Sequence, residues 1–231
     1  MNQQPDALFS QWKTYAKLVT HNHMLHREFF DVIAAELNRR YSRPVSILDL
    51  GCGDAVPAQR LLEQIRTKRY VGVDESQDAL AIAQAKLARL PVNFELACVD
   101  MRQVFQQRAA SFDVVMSSYA LHHLDRDGKR TLLRDARRSL TDHSCFVIAD
   151  IFRRENESRA TYLDAWIDHA AQAYTSLHDG ELELLFEHVR TRDFPEAPSA
   201  FAQLSREAGF TSFELVFQQS NGLAGVAVLS A

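Results

Sequence analysis

The chain has 231 residues, a formal net charge of −4, 46% hydrophobic residues and 24% charged ones. That length suits one domain, or one domain with an added subdomain, and is enough to bury a sizeable core. The composition excludes disordered and fibrous classes. The slight acidic excess offers no chain-wide field to hold a polyanion, so nucleic acid is not an expected partner.

The opening MNQQPDALFSQW has neither a basic leader nor the apolar run of a secretory signal. No apolar stretch of about 18 residues is present to span a membrane. Cys52, Cys98 and Cys145 are odd in number and widely spaced, which fits neither a disulfide framework nor metal-ligand spacing. A reducing cytoplasm is the expected location.

In chain order, residues 1–44 read as a helical cover. Residues 6–41 look helical throughout, with Trp12, Tyr15, Leu18 and Val19 leading into Met24, Phe29, Phe30, Ile33 and Leu37. Within it His21-Asn22-His23-Met24-Leu25-His26 is unusual, because His23 and His26 share one face of the predicted helix. Nothing there has HExxH spacing and no cysteine is near, so no metal is expected.

Residues 45–151 alternate short β-branched runs (45–49, 69–73, 92–97, 113–117, 145–150) with helical stretches (55–65, 76–89, 127–139). This is the pattern of βαβ units and a parallel sheet. The fold class is therefore α/β, doubly wound. Residues 152–210 form a helical insertion, with one or two helices over 157–189 broken near His178–Gly180 and another at 198–207. The stretch 151–211 carries six arginines against eleven acidic residues. A solvated helical face accounts for that, and a lid preferring neutral or cationic ligands is the functional alternative. Tyr162, Trp166 and His169 form a stripe at helical spacing, either core or the aromatic wall of a pocket. Residues 211–231 read as a hairpin, strands 212–218 and 223–229 meeting at Asn221-Gly222.

The most informative segment is Ile47-Leu48-Asp49-Leu50-Gly51-Cys52-Gly53-Asp54-Ala55, a strand running into a Gly-x-Gly turn and then a helix. Glycines at 51 and 53 can take positive φ and leave bare backbone for a flat polar ligand. Asp74 ends the second strand, where a carboxylate can accept from two ribose hydroxyls. Asp100 follows the third strand, and Ser117-Ser118-Tyr119-Ala120-Leu121-His122-His123-Leu124 opens from the fourth. A dinucleotide site would want a third glycine, but Val56 and Pro57 follow instead.

The ordered set LDLGCGDA, YVGVDES, ACVDM and FDVVMSSYALHHL resembles the motifs of class I S-adenosylmethionine-dependent methyltransferases across roughly residues 45–151. The resemblance implies a Rossmann-like, mostly parallel seven-stranded sheet and S-adenosylmethionine as cofactor. It implies that Asp49, Gly51 and Gly53 lie under the methionine part and that Asp74, with Glu75 and Ser76, holds the ribose. Asp100 and Met101 would grip the adenine, and Ser117 would face the sulfonium. An Asn-Pro-Pro-Tyr signature for planar amino groups is absent from the fourth strand's end.

His123 and His122 are the candidate bases, because imidazole titrates near neutral pH and their turn lies beside the expected methyl group. His123 is preferred, being deeper in the turn. Tyr15, His23, His26, Tyr119, Tyr162 and Trp166 are candidate acceptor contacts. The expected function is methyl transfer to oxygen, nitrogen or sulfur of a small molecule. The alternatives are an RNA-modifying methyltransferase and a non-catalytic cofactor-binding subunit.

Overall fold

The computed structural model describes residues 14–107 and 112–231. Seven strands, β1 (Val45–Leu50), β2 (Thr67–Asp74), β3 (Phe94–Cys98), β4 (Phe112–Ser118), β5 (Leu140–Ile151), β6 (Ser212–Gln218) and β7 (Ala224–Ser230), form one sheet in the order β3-β2-β1-β4-β5-β7-β6. β1 to β5 pair in parallel, and β7 lies antiparallel to both β5 and β6. The expected doubly wound sheet with a terminal hairpin is therefore present.

Alternation along the strands explains how both faces are buried. Ile47, Val114, Met116 and Val147 belong to one apolar layer with Phe29, Ile33 and Leu61. Their neighbours Leu48, Val115, Phe146 and Ile148 belong to the other with Leu132, Leu133 and Leu204. A parallel sheet needs this double cover, because helical crossovers occupy both sides. The helices are α1 (His26–Arg40), α2 (Val56–Leu62), α3 (Gln77–Leu87), α4 (Val104–Gln107), α5 (Arg126–Ser139), α6 (Arg159–Ala173), α7 (Asp179–Arg192) and α8 (Pro198–Ala208). Several start on side-chain caps: Ser76 Oγ accepts from Ala79 N, Asp125 Oδ1 from Gly128 N and Ser158 Oγ from Thr161 N. His178 caps α7 in a reciprocal box with Glu181.

The order places the chain reversal between β1 and β4. β2 leaves to one side of β1 and β5 to the other, so a crevice opens beyond the carboxyl ends of the central strands, where α/β sheets bind ligands. Register fixes which residues reach that edge: Leu50 lies opposite both Val73 and Ser117, and Asp74 opposite Cys98.

The preface departs from one continuous helix. Residues 14–20 are helical, 21–24 form a turn, and α1 begins at His26. Asn22 and Leu25 both have positive φ, 56° and 54°, a conformation no helix continues through. His23 and His26 therefore do not share a helical face. Trp12 and the rest of 6–13 lie outside the described residues.

Tyr162, expected among the acceptor contacts, belongs to the core: it is fully buried and its hydroxyl donates to the Leu223 carbonyl at 2.6 Å, fastening α6 to the start of the hairpin's last strand. Trp166, one turn further along the same face of α6, lines the cavity described below, and Tyr162 does not. Tyr162→Phe removes one of that carbonyl's two donors, the Phe152 N–H at 3.1 Å remaining, and should cost about 1 kcal/mol of stability, with ligand binding unchanged. Thermal melts and ligand titrations of the variant check this, and a loss of ligand affinity without loss of stability would return Tyr162 to the site.

Candidate active site

The turn after β1 is the floor of the crevice. Gly51 has φ +73°, and a Cβ built on it would stand 2.5 Å from the Cβ of Ala120 and 3.5 Å from Met101 Cε, so only glycine allows the β1 and β4 turns to approach this closely. Gly53, also at positive φ, donates its N–H to Asp74 Oδ2 at 2.9 Å, and Ser76 N–H donates to Asp74 Oδ1 at 2.8 Å. Asp74 thus knits the first two turns together through both oxygens, each of which retains a further lone pair.

Asp49 is 3% exposed. Its Oδ2 accepts from Tyr70 Oη at 2.7 Å, while Oδ1 is buried with no partner. Burial pushes this carboxyl up from 3.8 to about 7, the Tyr70 hydrogen bond offsetting part of the rise and the Asp74 charge adding to it. An orphaned buried carboxylate oxygen at the strand's end is a place for a cationic or donor group. Tyr15 lies above the same turn, its hydroxyl kept protonated by burial and by the charges of Asp54, Asp74 and Asp49.

At the third strand, the Arg102 side chain binds both oxygens of Asp100 through Nε, at 3.0 and 2.8 Å, and holds its carboxyl below the usual range. Burial and the neighbouring Asp100 push Glu75 the other way. Ser117 does not present a free hydroxyl: it is 1% exposed and donates to the Leu50 carbonyl at 3.0 Å. Its neighbour Ser118 is the one whose buried Oγ has no partner.

Beyond β4, Tyr119 has φ +50°, a strained setting for an aromatic residue. It is held there from outside, stacking on Phe29 at 5.7 Å, tilting against His26 at 5.1 Å and donating Oη–H to the Met24 carbonyl at 2.5 Å. A short 3₁₀ turn over Leu121–His123 follows. His122 is 6% exposed. Its backbone N–H reaches Asp150 Oδ2 at 3.1 Å and its Nδ1 lies 2.5 Å from Asp150 Oδ1. Burial alone would lower its pKa, but the Asp150 and Asp193 carboxylates outweigh burial and raise it. His123, with 39% of its side chain exposed, has Nδ1 3.2 Å from Asp193 Oδ1.

The insertion and the preface roof a cavity of about 360 Å³. Thr14, Tyr15, Leu18 and Met24 line it from the preface, Trp166 from α6, and Leu184, Leu185, His188 and Val189 from α7. Ser76, Tyr119, His122, His123, Ile151 and Asp193 complete the lining. The two roofs are clasped to each other, Lys17 Nζ reaching Glu181 at 2.6 Å and His23 bonding Ser176 Oγ at 2.7 Å while stacking on Tyr174. His23 therefore joins preface to insertion and is not among the cavity's lining. His26 is buried against Tyr15 and Tyr119, and burial drops its pKa to about 4, so it is a neutral packing residue. Of the expected site residues the structure brings together Tyr15, Ser76, Tyr119, His122, His123 and Trp166 at one cavity. Sequence reasoning missed Asp150, Asp193 and His188.

Comparison with known proteins agrees with this architecture. Residues 47–143 match a methyltransferase domain family. An uncharacterised methyltransferase of Bacillus licheniformis is 27% identical over 223 residues, 95% of this chain and 94% of that protein. A carboxy-S-adenosyl-L-methionine synthase of Mannheimia succiniciproducens is 26% identical over 94% of this chain and 86% of its own. Among solved structures, the plantazolicin methyltransferase BpumL in complex with SAH superposes with TM-score 0.68 at 15% identity, over 99% of this chain and 91% of that one. The S-adenosylmethionine-dependent methyltransferase SibL superposes at 0.62 and 21% identity over 90% of this chain, which spans 56% of SibL.

The strand order, the strand-end motifs, the domain match over residues 47–143 and the methyltransferase relatives together support a class I S-adenosylmethionine-dependent methyltransferase, with S-adenosylmethionine as its cofactor. The orphaned Asp49 oxygen fits a ligand that carries an ammonium group on its methionine part. The backbone left bare at Gly51 and Gly53 fits the close approach such a ligand needs.

Because the folded pKa of Asp49 lies above its ordinary value, its contribution to the unliganded fold is complete below pH 3.8 and is lost as pH rises through about 7. A cationic ligand beside Asp49 reverses the shift. Binding of S-adenosylhomocysteine should therefore release a proton below about pH 7 and tighten as pH rises toward that value. Calorimetry at about pH 6 in two buffers of different ionisation enthalpy measures the release, which Asp49→Asn should abolish. Equal proton release by that variant would separate the effect from Asp49.

Proposed function

We propose that the enzyme transfers the methyl group to an oxygen, nitrogen or sulfur atom of a small, largely apolar acceptor. The observation that carries this reading is the cavity itself. Its volume suits a small organic molecule, Leu18, Met24, Ile151, Trp166 and Leu185 give it apolar walls, and imidazoles with one carboxylate gather at a single place in its lining. When bound, S-adenosylmethionine supplies a methyl carbon on a sulfonium, to which the acceptor's lone pair bonds as the carbon–sulfur electron pair stays with sulfur.

The chain's part is alignment, exclusion of water and removal of the acceptor's proton. The clasp between preface and insertion supports the first two. For the third, His123 is the better placed base: it lines the cavity, is partly exposed, and has Asp193 beside Nδ1, which orients the ring with Nε2 available. His122 is enclosed and already bonded through Nδ1 to Asp150, which suits a positioning residue. Three free cysteines, Cys98 among them exposed, suit a reducing compartment such as the cytoplasm.

Turnover with a panel of phenols, thiols and amines tests this reading. With an accepted substrate, His123→Ala should lower kcat by roughly 10²–10⁴-fold while leaving S-adenosylhomocysteine affinity intact. Full activity in both His122→Ala and His123→Ala would leave proximity and desolvation as the whole mechanism. Cofactor binding with no turnover on any acceptor would favour a non-catalytic cofactor-binding role.

A further inference from the structure

Asp193 stands at the end of α7, 5% exposed, and its Oδ1 is buried with no formed hydrogen bond. Three imidazole nitrogens surround that oxygen: His123 Nδ1 at 3.2 Å, His122 Nε2 at 3.6 Å and His188 Nε2 at 3.9 Å. The last two are too far for hydrogen bonds. The two nearer separations are close to those of neighbouring ligands on one cation, since bonds of about 2.0–2.1 Å in a tetrahedron put adjacent donor atoms about 3.3 Å apart.

The tautomer of His122 points the same way. Nδ1 lies 2.5 Å from Asp150 Oδ1, so Nδ1 carries the hydrogen and Nε2 turns its lone pair toward the Asp193 oxygen. In the neutral ring two lone pairs then face each other across 3.6 Å, and a positive centre, a proton on Nε2 or a cation between the two atoms, relieves that arrangement. A carboxylate behind an imidazole is also the usual means of orienting a metal-binding histidine. Charge adds to this. Asp150 and Asp193 are both buried, while the buried cation nearby, Lys129, is spent on the carbonyls of Leu124 and Phe194.

We propose that His122 Nε2, His123 Nδ1 and Asp193 Oδ1, whose ligand atoms lie within 4.8 Å of one another, bind a divalent transition cation and leave its fourth position open to the cavity. Two imidazoles and one carboxylate suit zinc or cobalt(II) better than magnesium or calcium. Binding of the cation is independent of the acceptor. Its consequence rests on the methyl-transfer reading: an acceptor O–H or S–H on the open position would lose its proton to water more readily, and His123 would then serve as ligand instead of base.

The test is titration of the chelator-treated full chain with cobalt(II), followed by its visible absorption and by calorimetry. The expected result is one ion per chain with the intense bands of a four-coordinate site, displaced by zinc. His123→Ala should abolish the bands. Asp150→Asn, which keeps all three ligands, should weaken binding by roughly 10–100-fold. S-adenosylhomocysteine affinity, measured on the same samples, reports that each variant is folded. Absence of saturable binding to folded wild-type protein would overturn the proposal in favour of a protonated His122 between two carboxylates. Bands that persist in His123→Ala, or a thiolate-to-cobalt band placing the ion on a cysteine, would also overturn it. None of these outcomes bears on whether the enzyme turns over its acceptor, so the two readings fail separately.

Discussion

The tightest constraint in the molecule is the approach of the β1 turn to the β4 turn at Gly51. With 2.5 Å between a hypothetical Cβ and Ala120, no side chain fits, and the two central strands end as close together as backbone allows. That approach sets both halves of the site. On one side it leaves the backbone around Gly51 and Gly53 bare, with Asp49 below and Asp74 stitching the turn to β2. On the other it fixes where the chain leaves β4, and so where the His122–His123 turn begins. The bare turn after β1 and the histidine turn after β4 are two consequences of one packing contact.

The second half needs a further anchor, because a three-residue 3₁₀ turn has little stability of its own. Asp150 provides it. Sitting at the end of β5 with 1% exposure, it accepts from the His122 backbone and ring together, while the Phe194 N–H donates to the His122 carbonyl at 2.7 Å. A buried carboxylate is costly unless its lone pairs are taken, and here they are taken by the residue whose position matters. Tyr119 repeats this logic from the opposite side: its left-handed backbone is held by contacts with the preface, so the strained turn is braced by the cover.

Much of this was legible in the sequence, for definite reasons. All seven strands could be read because their periods are short, β-branched and bounded by turns, and the strand ends at the crevice because their spacing is local to each βα unit. The break in the preface was hidden by strong helical periodicity on both sides, although Asn22, a residue that tolerates positive φ, marks it in retrospect. Ser117 and Ser118 could not be told apart by a rule counting from the strand's end, since what separates them is a bond across to Leu50. Asp193 carries no local signal, lying about seventy positions from His122 and His123. Asp150 does: an ionisable residue inside Cys145-Phe146-Val147-Ile148-Ala149-Asp150-Ile151-Phe152 has to be paired in a buried strand, and that expectation alone points to a polar partner at the sheet's edge.

The acidic insertion shows why a segment's charge is a poor guide to its ligands. Eleven acids against six arginines suggest a field favouring cations, yet few of those acids face the cavity. Glu181 is taken by Lys17 and by the cap of α7. Glu196 pairs with Arg126 and Arg153, Glu155 accepts from Ser199, and Glu207 meets Arg130. These bonds tie the insertion to the preface, to α5 and to itself. Asp193 is the acid of this segment in the lining of the cavity, and it is ringed by imidazoles. What the cavity presents is therefore a local cluster of nitrogen and oxygen donors among apolar walls, and a diffuse negative lid is not needed to explain the composition.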